Sequence, residues 1–136
     1  MREEKAERYF KSGYNCAQAV FAAFADEFQF SEETSLKLSC ALGGGLGRMR
    51  EVCGAVSGAA LALGMRYGSD KDVVYPKVQE FCSKFKSEAG SIICRELLGS
   101  VDVTPGAKSE ERTESYYRKR PCVELVKTAV RILEGI

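Results

Sequence analysis

The chain has 136 residues, a hydrophobic fraction of 45%, a charged fraction of 29% and a formal net charge of +1. This length and composition are typical of one globular domain, residues 1–136, with a hydrophobic core. A net charge this close to zero gives no indication of a nucleic-acid partner. The charged N-terminus lacks the apolar segment of a secretory signal, and the longest apolar run, residues 52–65, is too short to span a bilayer. We therefore expect a cytoplasmic protein without membrane insertion.

The first half of the chain carries the signals of four helices. Asn15 is a favourable N-cap, and Gln18 three residues later completes a capping box. Ser31 is a second N-cap and is followed by two glutamates, which interact favourably with the positive end of a helix dipole. The spacing of apolar residues predicts helices over about residues 2–11, 16–28, 31–42 and 49–65.

The stretch from Gly43 to Gly47 holds four glycines, which leave the backbone too free for regular structure and permit left-handed turns. The helix after it is rich in small residues, among them Gly54 and Gly58, and Cys53 lies near its start. Glycine in a helix interior costs about 0.5–1 kcal/mol relative to alanine. We therefore expect this central helix to pack closely on its neighbours, either within the chain or against a second copy in a homodimer.

The second half of the chain predicts helices over about residues 70–89 and 91–98 and a last helix from Pro121 onward. Pro76 predicts that the first of these begins near Tyr75 or is kinked. Residues 100–114 are polar and indicate a long surface loop. No strand-like alternation is present. The sequence thus predicts an all-α fold, a compact bundle of about five to six helices around the central small-residue helix.

Six cysteines and no histidine make the composition unusual. Without histidine, the chain can form neither a Cys-His nucleophile pair nor a metal site with a histidine ligand. In a reducing cytosol, cysteines are more often metal ligands or redox thiols than structural disulfides. Unpaired N–H groups at a helix start stabilise a thiolate and lower its pKa. Four cysteines follow predicted helix starts: Cys16, Cys53, Cys94 and Cys122.

Positive residues lie close in sequence to three of these cysteines. Arg48 and Arg50 precede Cys53, Arg95 follows Cys94, and residues 118–120 precede Cys122. Cys53 is the preferred nucleophile, because the glycine-rich loop gives access to it and the two arginines favour its thiolate. Cys40 and Cys82 instead lie at apolar helix positions, and we predict that both pack in the core.

Residues 53–58 read Cys-Gly-Ala-Val-Ser-Gly, and GYNCAQAV, GGGLGRM and CRELLG occur at residues 13–20, 43–49 and 94–99. With these motifs the chain resembles the family labelled C_GCAxxG_C_C, whose members are described as redox-active proteins. The resemblance covers nearly the whole chain and does not include Cys40 or Cys82. It implies that the site consists of Cys16, Cys53, Cys94 and Cys122, with Gly54 and Gly58 as supporting residues of the motif.

The sequence leaves three functions open. The first is thiol–disulfide exchange or electron transfer, in which one thiolate attacks a disulfide or an oxidant and a second thiol resolves the product. Such an oxidoreductase would use a redox protein or a small thiol or disulfide as partner. The second is a zinc or iron–sulfur site formed by the same four cysteines, although no CxxC pair is present. The third is a non-catalytic helical module whose glycine-rich loop holds an anion or a partner.

Overall fold

The computed structural model describes residues 1–136 and contains nine α-helical segments, one 3₁₀ turn and no β-strand. The predicted all-α fold is confirmed. The segment α4 is one turn with left-handed glycines inside it, so eight regular helices remain, more than the five to six predicted. The bounds are α1 Arg2–Lys11, α2 Cys16–Ala22, α3 Glu32–Cys40, α4 Gly43–Leu46, α5 Gly54–Tyr67, α6 Lys71–Ala89, α7 Cys94–Leu98, α8 Glu114–Lys119 and α9 Cys122–Glu134.

The predicted start of α2 is confirmed, whereas its predicted end is wrong. The Asn15 side chain accepts a hydrogen bond from the N–H of Gln18, and the Gln18 side chain accepts one from the N–H of Asn15, both at 2.9 Å. The helix stops at Ala22, because the chain tightens into a 3₁₀ turn over Ala25–Glu27. Beyond this turn the ring of Phe28 stacks on that of Phe21, with centroids 5.2 Å apart.

Of the two starts predicted for α6, the one at Asp70 is confirmed and the one near Tyr75 is wrong. The helix begins at Lys71, because the Asp70 side chain accepts a hydrogen bond from the N–H of Asp72 and caps the first turn. Pro76 is tolerated inside this helix on an exposed face. The helix α7 is capped at Ile93 rather than Ser91.

The helix α8 occupies residues for which no helix was predicted. The Thr113 hydroxyl accepts a hydrogen bond from the N–H of Tyr116 at 3.1 Å and caps it. Residues 100–113 carry no helix, which agrees with the predicted loop up to the last residue of that range.

The close packing predicted for the central helix occurs within the chain. The helix α5 packs on α2, α6 and α9, and its two motif glycines face α2. A Cβ atom on Gly58 would lie 2.6 Å from the carbonyl oxygen of Ala17, and one on Gly54 would lie 3.1 Å from the Ala17 nitrogen. Both distances are shorter than ordinary van der Waals contact, so these two glycines allow α5 and α2 to approach each other.

The core is completed by apolar faces of the outer helices. From α1 comes Phe10, from α6 come Phe81 and Phe85, and α9 buries a stripe that includes Val126 and Leu133. None of the helices combines the length and the hydropathy that a membrane span requires.

Candidate functional site

Four cysteines that are distant in sequence line one cavity of about 50 Å³. Each lies at a helix start, as predicted: Cys16, Cys94 and Cys122 are the first residues of their helices, and Cys53 is the N-cap of α5. Cys53 is 4% exposed, and the other three are partly exposed. A cavity of this volume has room for a few water molecules or one small ion.

Backbone hydrogen bonds bring Cys53 and Cys94 to the same side of the cavity. Val52 and Ile93 form an isolated antiparallel bridge. Next to it, the N–H of Cys53 donates to the carbonyl of Ile92 at 2.7 Å, and the N–H of Cys94 donates to that of Glu51 at 2.6 Å. Sequence periodicity gives no signal for so short a pairing, so this contact was not predicted.

Two glycines allow neighbouring backbone segments to come close to Cys16 and Cys94. A Cβ atom on Gly54 would lie 3.2 Å from the Cβ of Cys16, which shows how closely α5 meets the start of α2. Gly45 has a φ of +73°, and a Cβ there would lie 2.7 Å from the Cβ of Cys94. Only glycine fits this position, because both the left-handed backbone and the neighbouring atoms exclude a side chain.

The left-handed backbone continues past the glycines. Leu46, Arg48 and Arg50 have φ values of 70°, 66° and 61°, a region that costs an L-residue about 1–2 kcal/mol. Such strain persists only where the surroundings hold it, and it concentrates at functional sites. Here it sets the directions of the two arginine side chains.

The thiols of Cys16 and Cys122 interact within the cavity, and their pKa values move in opposite directions. The hydrogen bond from Cys16 lowers the pKa of Cys122, and the guanidiniums of Arg120 and Arg112 lower it further against the effect of burial. The same hydrogen bond and burial raise the pKa of Cys16. The surroundings therefore favour the thiolate form at Cys122 and the protonated form at Cys16.

The lowered pKa expected at the other helix starts is not found. Burial raises the pKa of Cys53 to about 12, although the N–H groups of Ala55 and Val56 act in the opposite direction. Burial also raises the pKa of Cys94, against the hydrogen bond from Arg50. Desolvation therefore outweighs the helix-start effect at both thiols, and the expectation was wrong there.

The two arginines expected beside Cys53 point elsewhere. Arg50 donates from Nη1 to the sulfur of Cys94 at 3.8 Å. Arg48 donates to the backbone carbonyls of Thr104 at 3.0 Å and Gly106 at 2.9 Å and forms an ion pair with Glu110 at 3.1 Å. Arg48 thus fastens the loop of residues 100–113, and Arg50 is the arginine that faces a thiol.

Glu110 joins three arginines around the site and was missed in the sequence. Its carboxylate pairs with Arg48, with Arg120 and, at 3.7 Å, with Arg50. Burial raises its pKa, but the hydrogen bond from Arg120 and the other guanidiniums outweigh that effect and lower it overall. No sequence signal marks this residue, because it lies in a polar loop among other charged residues.

Arg112 was also missed, whereas Arg120 belongs to the positive run noted before Cys122. Both line the cavity. Arg112 donates to the carbonyls of Phe10 and Tyr14 at 2.8 and 3.0 Å. The guanidiniums of Arg112 and Arg120 lie over the ring of Tyr116, 5.0 and 4.4 Å from its centroid. These contacts hold two cations close to Cys122.

The remaining cysteines lie outside the cavity. Cys40 is exposed, so its predicted place in the core is wrong; the residue ends α3 on the outer side of that helix. Cys82 is partly buried and packs against the core. All six cysteines are free thiols, and no three Cys, Asp or Glu side chains are arranged so that they could hold a metal ion.

Comparison with known protein families identifies a match over most of the chain. The family described as "Putative redox-active protein (C_GCAxxG_C_C)" matches residues 14–136. No curated protein and no solved structure matches the chain.

Proposed function

The chain belongs to the C_GCAxxG_C_C family of redox-active proteins, and we propose that it carries out thiol–disulfide exchange with Cys122 as the attacking thiolate and Cys16 as the resolving thiol. The observation that carries the proposal is that Cys16 and Cys122 line one cavity together with three arginines, which with Cys16 lower the pKa of Cys122. A thiolate beside a second thiol is the arrangement that disulfide exchange requires. The sequence favoured Cys53 as the nucleophile. We propose Cys122 instead, because a pKa of about 12 keeps Cys53 protonated at neutral pH.

The reaction has two steps. First, the Cys122 thiolate attacks one sulfur of a small disulfide and forms a mixed disulfide, and the other sulfur leaves as a thiolate. Second, Cys16 gives its proton to that thiolate and attacks the sulfur of Cys122, which releases the other half of the substrate as a thiolate. The substrate gains two electrons, and Cys16 and Cys122 become a disulfide.

The other two thiols of the cavity extend this scheme. Arg50 donates to the sulfur of Cys94, which opposes but does not cancel the effect of burial on the pKa of this thiol. We propose that Cys94 and Cys53 form a second thiol pair that can take over the disulfide: their two sulfurs become bonded to each other, the Cys16–Cys122 bond breaks, and the protons of Cys94 and Cys53 pass to the released sulfurs. Gly54 and Gly58 support the site by allowing α5 to approach Cys16 and Ala17, and Arg48 supports it by fixing the loop that carries Glu110.

A trapping experiment tests the two roles. Reduced protein is mixed with hydroxyethyl disulfide, and the products are identified by peptide mass spectrometry. Cys16→Ser should accumulate a mixed disulfide on Cys122, since nothing resolves it, whereas Cys122→Ser should form none at Cys16. Cys40→Ser is the matched control and should give the wild-type products at Cys16 and Cys122, because Cys40 lies outside the cavity. A mixed disulfide that accumulates on Cys53 in the Cys16→Ser variant would overturn the assignment.

A further inference from the structure

The lining of the cavity is strongly positive. Three arginines contribute to it, Arg50, Arg112 and Arg120, whereas no Asp or Glu side chain does. Glu110 reaches these arginines from the loop side, and its single negative charge is shared with Arg48 as well. Even when Cys122 is a thiolate, the positive charges of the three arginines exceed the negative charge in the cavity.

Two of the guanidiniums are incompletely paired. Nη2 of Arg50 is buried and donates no hydrogen bond, and the Glu110 carboxylate lies 3.7 Å from it. A buried donor without an acceptor costs about 1–3 kcal/mol, and more when it is charged. Arg112 donates to two backbone carbonyls and lies over aromatic rings, and no carboxylate pairs with its positive charge.

We infer that the cavity is an anion subsite and that the substrates of the thiol chemistry are small sulfur–sulfur compounds with a negative charge beside the reacting sulfur. This inference rests on the proposed function and narrows its substrate class. The anionic group would accept hydrogen bonds from Arg50 and Arg112, which would satisfy the free donor and bring the substrate sulfur to Cys122. The small volume of the cavity, about 50 Å³, admits only the reacting end of a small molecule.

The steps of the exchange stay the same for such a substrate. The Cys122 sulfur forms a bond to the substrate sulfur, and the sulfur–sulfur bond of the substrate breaks. The leaving group departs with the electron pair, and the nearby guanidiniums stabilise its negative charge. A neutral substrate of the same size would gain nothing from the arginines before the bond breaks.

Two alkylating reagents of nearly equal shape test the subsite. Iodoacetate is an anion and iodoacetamide is neutral, and both alkylate a thiolate with loss of iodide. Rates at each cysteine are measured by peptide mass spectrometry, and Cys40, which is exposed, serves as the internal reference. We expect the ratio of the iodoacetate rate to the iodoacetamide rate to be about tenfold higher at Cys122 than at Cys40, the lower end of what a focused positive field gives.

A matched pair of variants assigns the effect to the cavity. Arg50→Gln should lower the ratio at Cys122 by about threefold or more, while Arg66→Gln should leave it unchanged. Arg66 is a suitable control because it has similar exposure, 20% against 17% for Arg50, and pairs with Glu27. It lies in the last turn of α5, at the opposite end of that helix from Cys53.

The outcomes separate this inference from the proposed function. Equal ratios at Cys122 and Cys40 would overturn the anion subsite. If both reagents nevertheless modified Cys122 rapidly, the proposed role of Cys122 as the attacking thiolate would still be supported. Slow modification of Cys122 by both reagents would instead overturn the proposed function. The wild-type comparison needs no variant, so a variant that fails to fold does not weaken the test.

Discussion

Replacement of Gly58 by alanine tests how the fold assembles the site, because this residue sets the distance between α5 and the helix that carries Cys16. A Cβ atom at Gly58 would lie 2.6 Å from the carbonyl oxygen of Ala17 and 3.1 Å from its Cα. The opposing atoms belong to backbone, so no side-chain rotation can relieve the contact. The two helices must separate or shift.

The expected loss of stability is the difference between two effects. Alanine is favoured over glycine in a helix by about 0.8–1 kcal/mol, whereas overpacking of a buried contact costs about 1–3 kcal/mol. The contact here is close to backbone, so we take the upper part of that range and expect a net loss of about 1–2 kcal/mol. For a chain of this length, that corresponds to a decrease in Tm of about 4–8 °C.

Gly64 provides the control in the same helix. A Cβ atom there would meet nothing within 4 Å, so Gly64→Ala should gain the helix preference alone and raise the free energy of unfolding by about 1 kcal/mol. Urea denaturation and thermal unfolding of the wild type and both variants measure the two changes. A Gly58→Ala variant as stable as the wild type, or changes of the same sign in both variants, would refute this account of the packing.

Three further predictions concern the charges and thiols of the site. The pH midpoint for alkylation of Cys122 by iodoacetamide should lie below that of a cysteine in an unstructured peptide, because the pKa of Cys122 is lowered in the fold, and Arg120→Gln should raise it; a midpoint equal to that of the peptide thiol would contradict this. Cys53, with its pKa raised to about 12, should remain unmodified in the folded protein at neutral pH, and its rapid modification would contradict the burial described. Glu110→Gln leaves Arg120, whose side chain is 5% exposed, without its carboxylate and should lower the free energy of unfolding by about 1–3 kcal/mol in urea. Because the pKa of Glu110 is lowered from 4.5 in the fold, the stability it contributes is present above pH 4.5 and should be lost as the pH falls further; an unchanged difference between wild type and variant at lower pH would contradict this.

The helix starts were predictable because they depend on local signals. The capping box of Asn15 and Gln18 and the N-cap Ser31 satisfy backbone N–H groups within three residues, so each can be recognised in a short stretch of sequence. Among the cavity cysteines, only Cys16 follows a start of this kind; the helix starts at Cys53, Cys94 and Cys122 have no side-chain cap. The close packing at Gly54 and Gly58 could be predicted because glycine in a helix interior is unfavourable unless a neighbouring element packs against it.

The electrostatics of the site depended on contacts that sequence proximity does not give. Arg48 and Arg50 lie close to Cys53 in the chain, but their left-handed backbones direct the side chains to the loop and to Cys94. Arg112 reaches the cavity from a polar loop. Burial, which raises the pKa of Cys53 and Cys94, is likewise a property of the assembled fold.

The most direct test of the central claim is to identify the disulfide that forms first when the reduced wild-type protein meets a limiting amount of oxidant. Non-reducing peptide mapping by mass spectrometry identifies the linked cysteines. We predict a bond between Cys16 and Cys122, whose thiols line the same cavity and shift each other's pKa in the reduced protein. A first disulfide that excludes Cys122, or an intermolecular bond through Cys40 with Cys16 and Cys122 still reduced, would contradict the claim.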